Sequence, residues 1–306
     1  MKVKYKRESG QALVLILLFL AVVLTLVLFI LSRSITGIAV SSGSEEAIRA
    51  FSAAEAGIEK ALVIGAGGTN ISIGNATYSS SVTSVAEGAN NYIYPLTLTS
   101  GDSATVWFVA HDSANNDDLT CGAGSPCFIG RTVKVCWGNP GTSASASTTP
   151  AVEMSVFYET TPGDLATIKI ARAAFDPYTT RVSSDTPAKP NSFSAPDAGT
   201  CTIGSETYEF QKEIDLSTLG IPAGSYNTQN GLQFMRLRIF YNTDVAHKIG
   251  FDVNFAGNTV LPSQGSQIDS TGTAGQSNRR LSVFQGWPEP PSVFDFAIYS
   301  STGITK

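Results

Sequence analysis

The chain of 306 residues is long enough for one or two globular units with a sizeable core, besides any membrane segment. Its formal net charge is −5 and only 15% of its residues are charged; the only dense basic cluster adjoins an apolar run near the N-terminus, so there is no electrostatic case for nucleic acid as a partner. Two histidines without a recognisable nucleophile, and the lack of a GxSxG, HExxH or P-loop pattern, argue against an enzyme, and no cofactor is expected.

Residues 1–10 form a basic leader carrying Lys2, Lys4, Lys6 and Arg7. From Ala12 to Leu31 only Thr25 is not apolar, which gives the roughly 20 residues that an α-helix needs to cross a hydrocarbon core. A secretory h-region is shorter, about 7 to 15 residues, so the run reads as an anchor. Positive charge precedes it and only Arg33 follows closely, which places the N-terminus in the cytoplasm and the rest of the chain outside.

The next stretch, to about residue 64, contains no Pro, and Ile48, Phe51, Ile58 and Leu62 recur at helical spacing with Ala54 and Glu55 between them. Ser42 and Glu45 match a capping box, so the sequence leaves two alternatives near Gly43, a pause and restart or a continuous helix. Unbroken from Gln11 to Ile64, the helix would span roughly 80 Å, which suits a packed filament better than a lone globule. Ala50, Ser52, Ala53, Ala54, Ala56 and Gly57 are small enough to let another backbone approach, either a neighbouring helix or the protein's own sheet. Glu55 reads as solvated at the edge of the stripe.

The leader ending in Gly10, the greasy opening QALVLILLFL and the stretch AFSAAEAGIEKAL at 50–62 together resemble type IV pilin-like proteins, most closely PilX-like minor pilins. The resemblance covers about the first 65 residues. It implies that a prepilin peptidase cuts between Gly10 and Gln11 and methylates the new N-terminus, after which the helix is drawn from the inner membrane into a filament. It also implies other pilin-like subunits and the inner-membrane assembly machinery as partners, with Leu15, Phe51, Ala54, Glu55 and Gly57 in the assembly helix. Major pilins carry a Phe first and a Glu fifth after the cut, and this chain has Gln11 and Leu15 there. By the resemblance, a subunit without that Glu sits at the tip or initiates assembly. TadE-like pseudopilins are the second family the opening is similar to, although they usually keep the Glu.

The glycines of LVIGAGGTN follow a helix, not a strand, so Gly65, Gly67 and Gly68 read as a helix end and hinge, not a dinucleotide turn. Beyond them, eleven short alternating runs separated by Gly, Asn, Pro and Ser clusters, with no convincing helix, predict an antiparallel β-sandwich. The fold class is thus α+β: a long N-terminal α-helix, transmembrane then amphipathic, followed by a mainly antiparallel β-sandwich head over 65–306. RRLSVFQGWPEPPSVFDFAIYS is where the chain is expected to return to the sheet packed on the helix, leaving about 100–255 as an inserted subdomain. Trp107, Trp137 and Trp287 read as core residues.

If the head is exported, the short loop CGAGSPC favours Cys121 with Cys127, leaving Cys136 with Cys201; four free thiols are the alternative. Asp112, Asp117 and Asp118 crowd one loop, but their spacing is not that of an EF-hand, and a solvated turn is preferred to a calcium site. No metal is expected. The functional expectation is a minor pilin-like subunit, in the cytoplasmic membrane first and an extracellular filament later. The rival is a membrane-anchored extracytoplasmic binding or adhesion protein that never enters a filament.

Overall fold

The computed structural model describes residues 11–111, 119, 121–122, 125–183, 190–253 and 260–289. A single helix, α1 (Gln11–Ile64), runs for 54 residues without a break. Of the two alternatives at Gly43 the continuous helix is the one present: helical backbone runs through Ser42 and Glu45, and Glu45 pairs with Arg49 four residues on. Gly65, with φ of +72°, ends the helix in the left-handed conformation, its N–H bonded to the Ala61 carbonyl at 2.8 Å.

The strands that follow α1 are β1 (Gly68–Ile73), β2 (Ala76–Ser84), β3 (Asn91–Ile93), β4 (Ser103–Trp107), β5 (Thr132–Trp137), β6 (Ala151–Glu159) and β7 (Ile168–Phe175). After the short helix α2 (Thr179–Ser183) come β8 (Cys201–Ile203), β9 (Glu206–Tyr208) and β10 (Phe210–Asp215). The short helix α3 (Ala223–Tyr226) then leads to β11 (Leu232–Phe240), β12 (Ile249–Asp252), β13 (Gly265–Ala274) and β14 (Ser277–Gly286). The fold is α+β with a β-rich head. Ten of the eleven expected runs coincide with strands, and the eleventh, FDFAIYS, lies outside the described residues. The expectation of no further helix is corrected by α2 and α3, each of five residues or fewer and too short to leave a periodic signal.

Two compact units divide the chain, one of residues up to Val82 with Ile268–Val283, the other of Thr83–Gln267 with the residues from Phe284 on. In the first, the sheet order is β1-β2-β13-β14. Two-residue turns led by Gly74 and Gly275, both at positive φ, close its hairpins, a geometry that Gly adopts without a Cβ penalty. The C-terminal part of α1 seats on this sheet: Ala50 and Ala53 pack with Ala76, Tyr78 and Ala274, and Ile58 and Ala61 with Ile268.

In the second unit, the sheets β10-β5-β12-β3 and β4-β11-β6-β7 contribute to one core. Period-two alternation sets which side chains enter it: Val133, Val135 and Trp137 from β5, and Met235, Leu237 and Ile239 from β11, are buried. Burying the indole of Trp137 leaves no unmade donor, because its Nε1 donates to the Pro150 carbonyl at 3.0 Å. Arg236, on the other face of β11, is also buried, and its charge is paired with Glu289.

Candidate membrane and assembly helix

Residues 12–45 of α1 are exposed along their whole length, and Leu15, at 70%, is as open as its neighbours. Nothing charged stands between Ala12 and Ser32, and the Thr25 hydroxyl donates to the Val22 carbonyl at 2.7 Å, so no polar group of that stretch seeks water. A helix satisfies its own backbone, which makes it one of the two structures that hydrocarbon tolerates. The described part of α1 is long and apolar enough to span a membrane. Gln11 is its first residue, while Gly10, on the other side of the expected cut, lies outside the described residues.

Past residue 45 the helix has two unlike faces. On the sheet side stand Ala50, Ala53, Ala54, Gly57, Ile58 and Ala61, all buried. A Cβ on Gly57 would lie 2.2 Å from Ser270 Oγ and 2.7 Å from the Tyr78 ring, and a Cβ on Gly272 of β13 would lie 1.9 Å from the Ala50 carbonyl oxygen. Small side chains are thus required from both partners, and backbone meets backbone. Glu46 adds a polar tie, accepting from the Gln276 N–H at the tip of the β13–β14 hairpin at 3.0 Å.

The opposite face carries Ile48, Phe51, Glu55 and Leu62, all exposed. Of Ile48, Phe51, Ile58 and Leu62, only Ile58 is buried, because the close approach at Gly272 selects the small residues and turns the large ones outward. Beside that face, Ile48, Arg49 and Ser52 of α1 and Ile73 and Asn75 of the first hairpin border a cleft of about 410 Å³. Of the assembly residues named from sequence, Ala54 and Gly57 therefore face the protein's own sheet, while Leu15, Phe51 and Glu55 face outward. Sequence reading missed β1, β8, β9 and β13. The Gly-Asn pair at 74–75 is a hairpin signal that would have pointed to the first, whereas GSQIDSTGTA offers little beyond Ile268.

Among the described residues every cysteine is bonded: Cys121 to Cys127 and Cys136 to Cys201, with Cα separations of 5.5 and 6.0 Å. The second bond ties β5 to the β8–β9 hairpin. Near the first lies His111, buried with its ring stacked on Trp287 and edge-on to Trp107; its Nδ1 has no hydrogen-bond partner among the described residues. Burial lowers its pKa from 6.5 to about 4. Asp112, Asp117 and Asp118 lie outside the described residues, and among those described no three His, Cys, Asp or Glu gather as a metal site would need. No protein-family profile, curated protein or solved structure matches the chain.

Proposed function

We propose that this chain is a minor pilin-like subunit, cleaved after Gly10, which leaves the cytoplasmic membrane through its N-terminal helix and joins a type IV pilus or related filament at the tip or at initiation. The observation that carries the reading is the division of α1 into an apolar half that nothing in the described chain covers and a half seated on a sheet through small residues. Lipid covers the first half before assembly, and neighbouring helices replace lipid afterwards. Phe51, Ile48 and the cleft beside them extend the uncovered apolar surface beyond the length a bilayer hides.

Leu15 supports a minor role. A carboxylate at that depth would need a positive partner, because a lone charge in hydrocarbon costs several kcal/mol, and Leu15 can neither require nor supply such a pair. The paired cysteines fit an oxidising compartment beyond the membrane, in agreement with the positive-inside orientation.

Intact-mass and N-terminal peptide mass spectrometry of the protein from its native cell tests the reading. A methylated chain beginning at Gln11 is expected. A retained Met1 would instead favour the static membrane-anchored binding protein, and a start near Ser41 would mean that the helix is discarded.

A further inference from the structure

In the second unit, the loop after β5 and the loop between β11 and β12 enclose a cleft of about 280 Å³ that the filament reading leaves without a role. His247 forms part of its wall and is only 4% exposed. Its Nδ1 accepts the Asn139 backbone N–H at 3.0 Å, which fixes the neutral tautomer with the proton on Nε2. No described residue accepts that proton. Asn139 also locks the two loops together, its amide donating to the Ala246 carbonyl at 3.1 Å and its Oδ1 accepting the Lys248 N–H at 3.3 Å. The loop is braced further by Thr149, whose hydroxyl donates to the Ser143 carbonyl at 2.7 Å, and by Arg181, which donates to the carbonyls of Ser147 and Thr149.

The remaining lining mixes hydroxyl and amide groups with Pro140, Ala146 and Val245 and carries one negative charge. Asp244 stands at an exposed position, its carboxyl held below the usual range chiefly by a hydrogen bond from Thr148. Burial lowers the His247 pKa, so the imidazole is neutral at physiological pH and supplies a donor without a countercharge. An anionic ligand would meet Asp244 without a compensating cation in the lining. A neutral ligand bearing adjacent hydroxyls finds both partners it needs: Nε2–H donates to one oxygen, and the carboxylate accepts from a neighbouring hydroxyl. Thr142 and Ser143 add further hydroxyls, and Pro140 and Val245 offer apolar surface to C–H groups. The volume lies just below the roughly 300 to 1,000 Å³ of sites for larger ligands, which suits a single ring.

We infer that this cleft binds one pyranose unit of a neutral saccharide, with His247 as donor and Asp244 as acceptor. The inference does not rest on assembly into a filament. It is tested on the full chain in lipid nanodiscs, which avoids glycoside detergents, by NMR titration with methyl α-glucopyranoside, methyl α-mannopyranoside, methyl β-galactopyranoside and N-acetylglucosamine. Inorganic phosphate and free lysine serve as anionic and cationic controls. At least one pyranoside is expected to saturate with a roughly millimolar Kd and to shift the His247 ring resonances. His247→Phe and Asp244→Asn are each expected to weaken binding about tenfold or more, the loss of a hydrogen bond to a buried or charged partner. If His247→Phe unfolds the loop, the exposed Asp244→Asn variant gives the same reading. Saturation by phosphate or lysine alone, no pyranoside binding, or binding that Asp244→Asn leaves unchanged would overturn the inference.

Discussion

At Gly272 the backbones of β13 and α1 approach so closely that a methyl group would lie 1.9 Å from the Ala50 carbonyl oxygen and 2.5 Å from the Ala54 nitrogen. Neither atom belongs to a side chain that can swing away. Gly272→Ala should therefore cost about 1–3 kcal/mol or more, seen as a lower melting temperature and faster hydrogen exchange in β13. Gly37 is the control, because a Cβ there meets nothing within 4 Å. Gly37→Ala should be neutral or stabilising by up to about 1 kcal/mol, since it removes only the flexibility of glycine in a helix. Equal effects at the two positions would contradict the seating of α1. This contact was not legible in advance: the alanines and Gly57 marked a close approach, but the partner glycine sits in a polar run without a pattern.

His111 gives a second prediction at this scale. The fold resists its protonation between about pH 6.5 and 4, whereas the unfolded chain takes up that proton, so stability is full above pH 6.5 and declines as pH falls toward 4. The loss is at most about 3 kcal/mol, and an imidazolium attracted to the Trp287 and Trp107 rings would reduce it. His247, lowered by burial as well, acts in the same direction. Melting temperatures at pH 7 and pH 5 should differ less in His111→Phe than in the parent. An unchanged difference would show that other groups govern this window.

Among the elements, α1 was the most readable, because twenty apolar residues and a Pro-free continuation leave few alternatives to a helix. Its register against the sheet was not readable. The large apolar residues Ile48 and Phe51 define a stripe on paper, yet packing is decided by the separation of the backbones, and only small residues fit at that separation. Strands such as β5 and β11 announced themselves through alternation, and β13 did not, because its Ser, Thr and Gly residues are accommodated by a helix lying close above them. The disulfides act between elements. Cys136 and Cys201 are 65 residues apart and Cys121 and Cys127 only 6. Closing the longer loop restricts the unfolded chain by on the order of 4 kcal/mol, against about 2 kcal/mol for the shorter. Replacing Cys136 and Cys201 by Ser should therefore lower the denaturant midpoint more than replacing Cys121 and Cys127. Equal shifts or the reverse order would show that local packing, not loop closure, sets their contribution.

For the whole molecule, an α+β chain with a membrane-length helix and a β-rich head is what both residue pattern and structure give. The sequence also suggested a domain inserted at about 100–255, whereas the structure divides the chain at Val82 and Thr83 and again at Gln267 and Ile268. Those boundaries fall inside β2 and β13, where no change of composition marks them. A helix of roughly 80 Å with its first half uncovered must find a second environment, lipid or protein, and the proposed function assigns it both in turn. Shearing surface filaments from native cells and probing the sheared and membrane fractions for this chain tests that central claim most directly. The account predicts the chain in the sheared fraction, at the mass of residues 11–306. Recovery only in the membrane fraction, under conditions where filaments are shed, would contradict it.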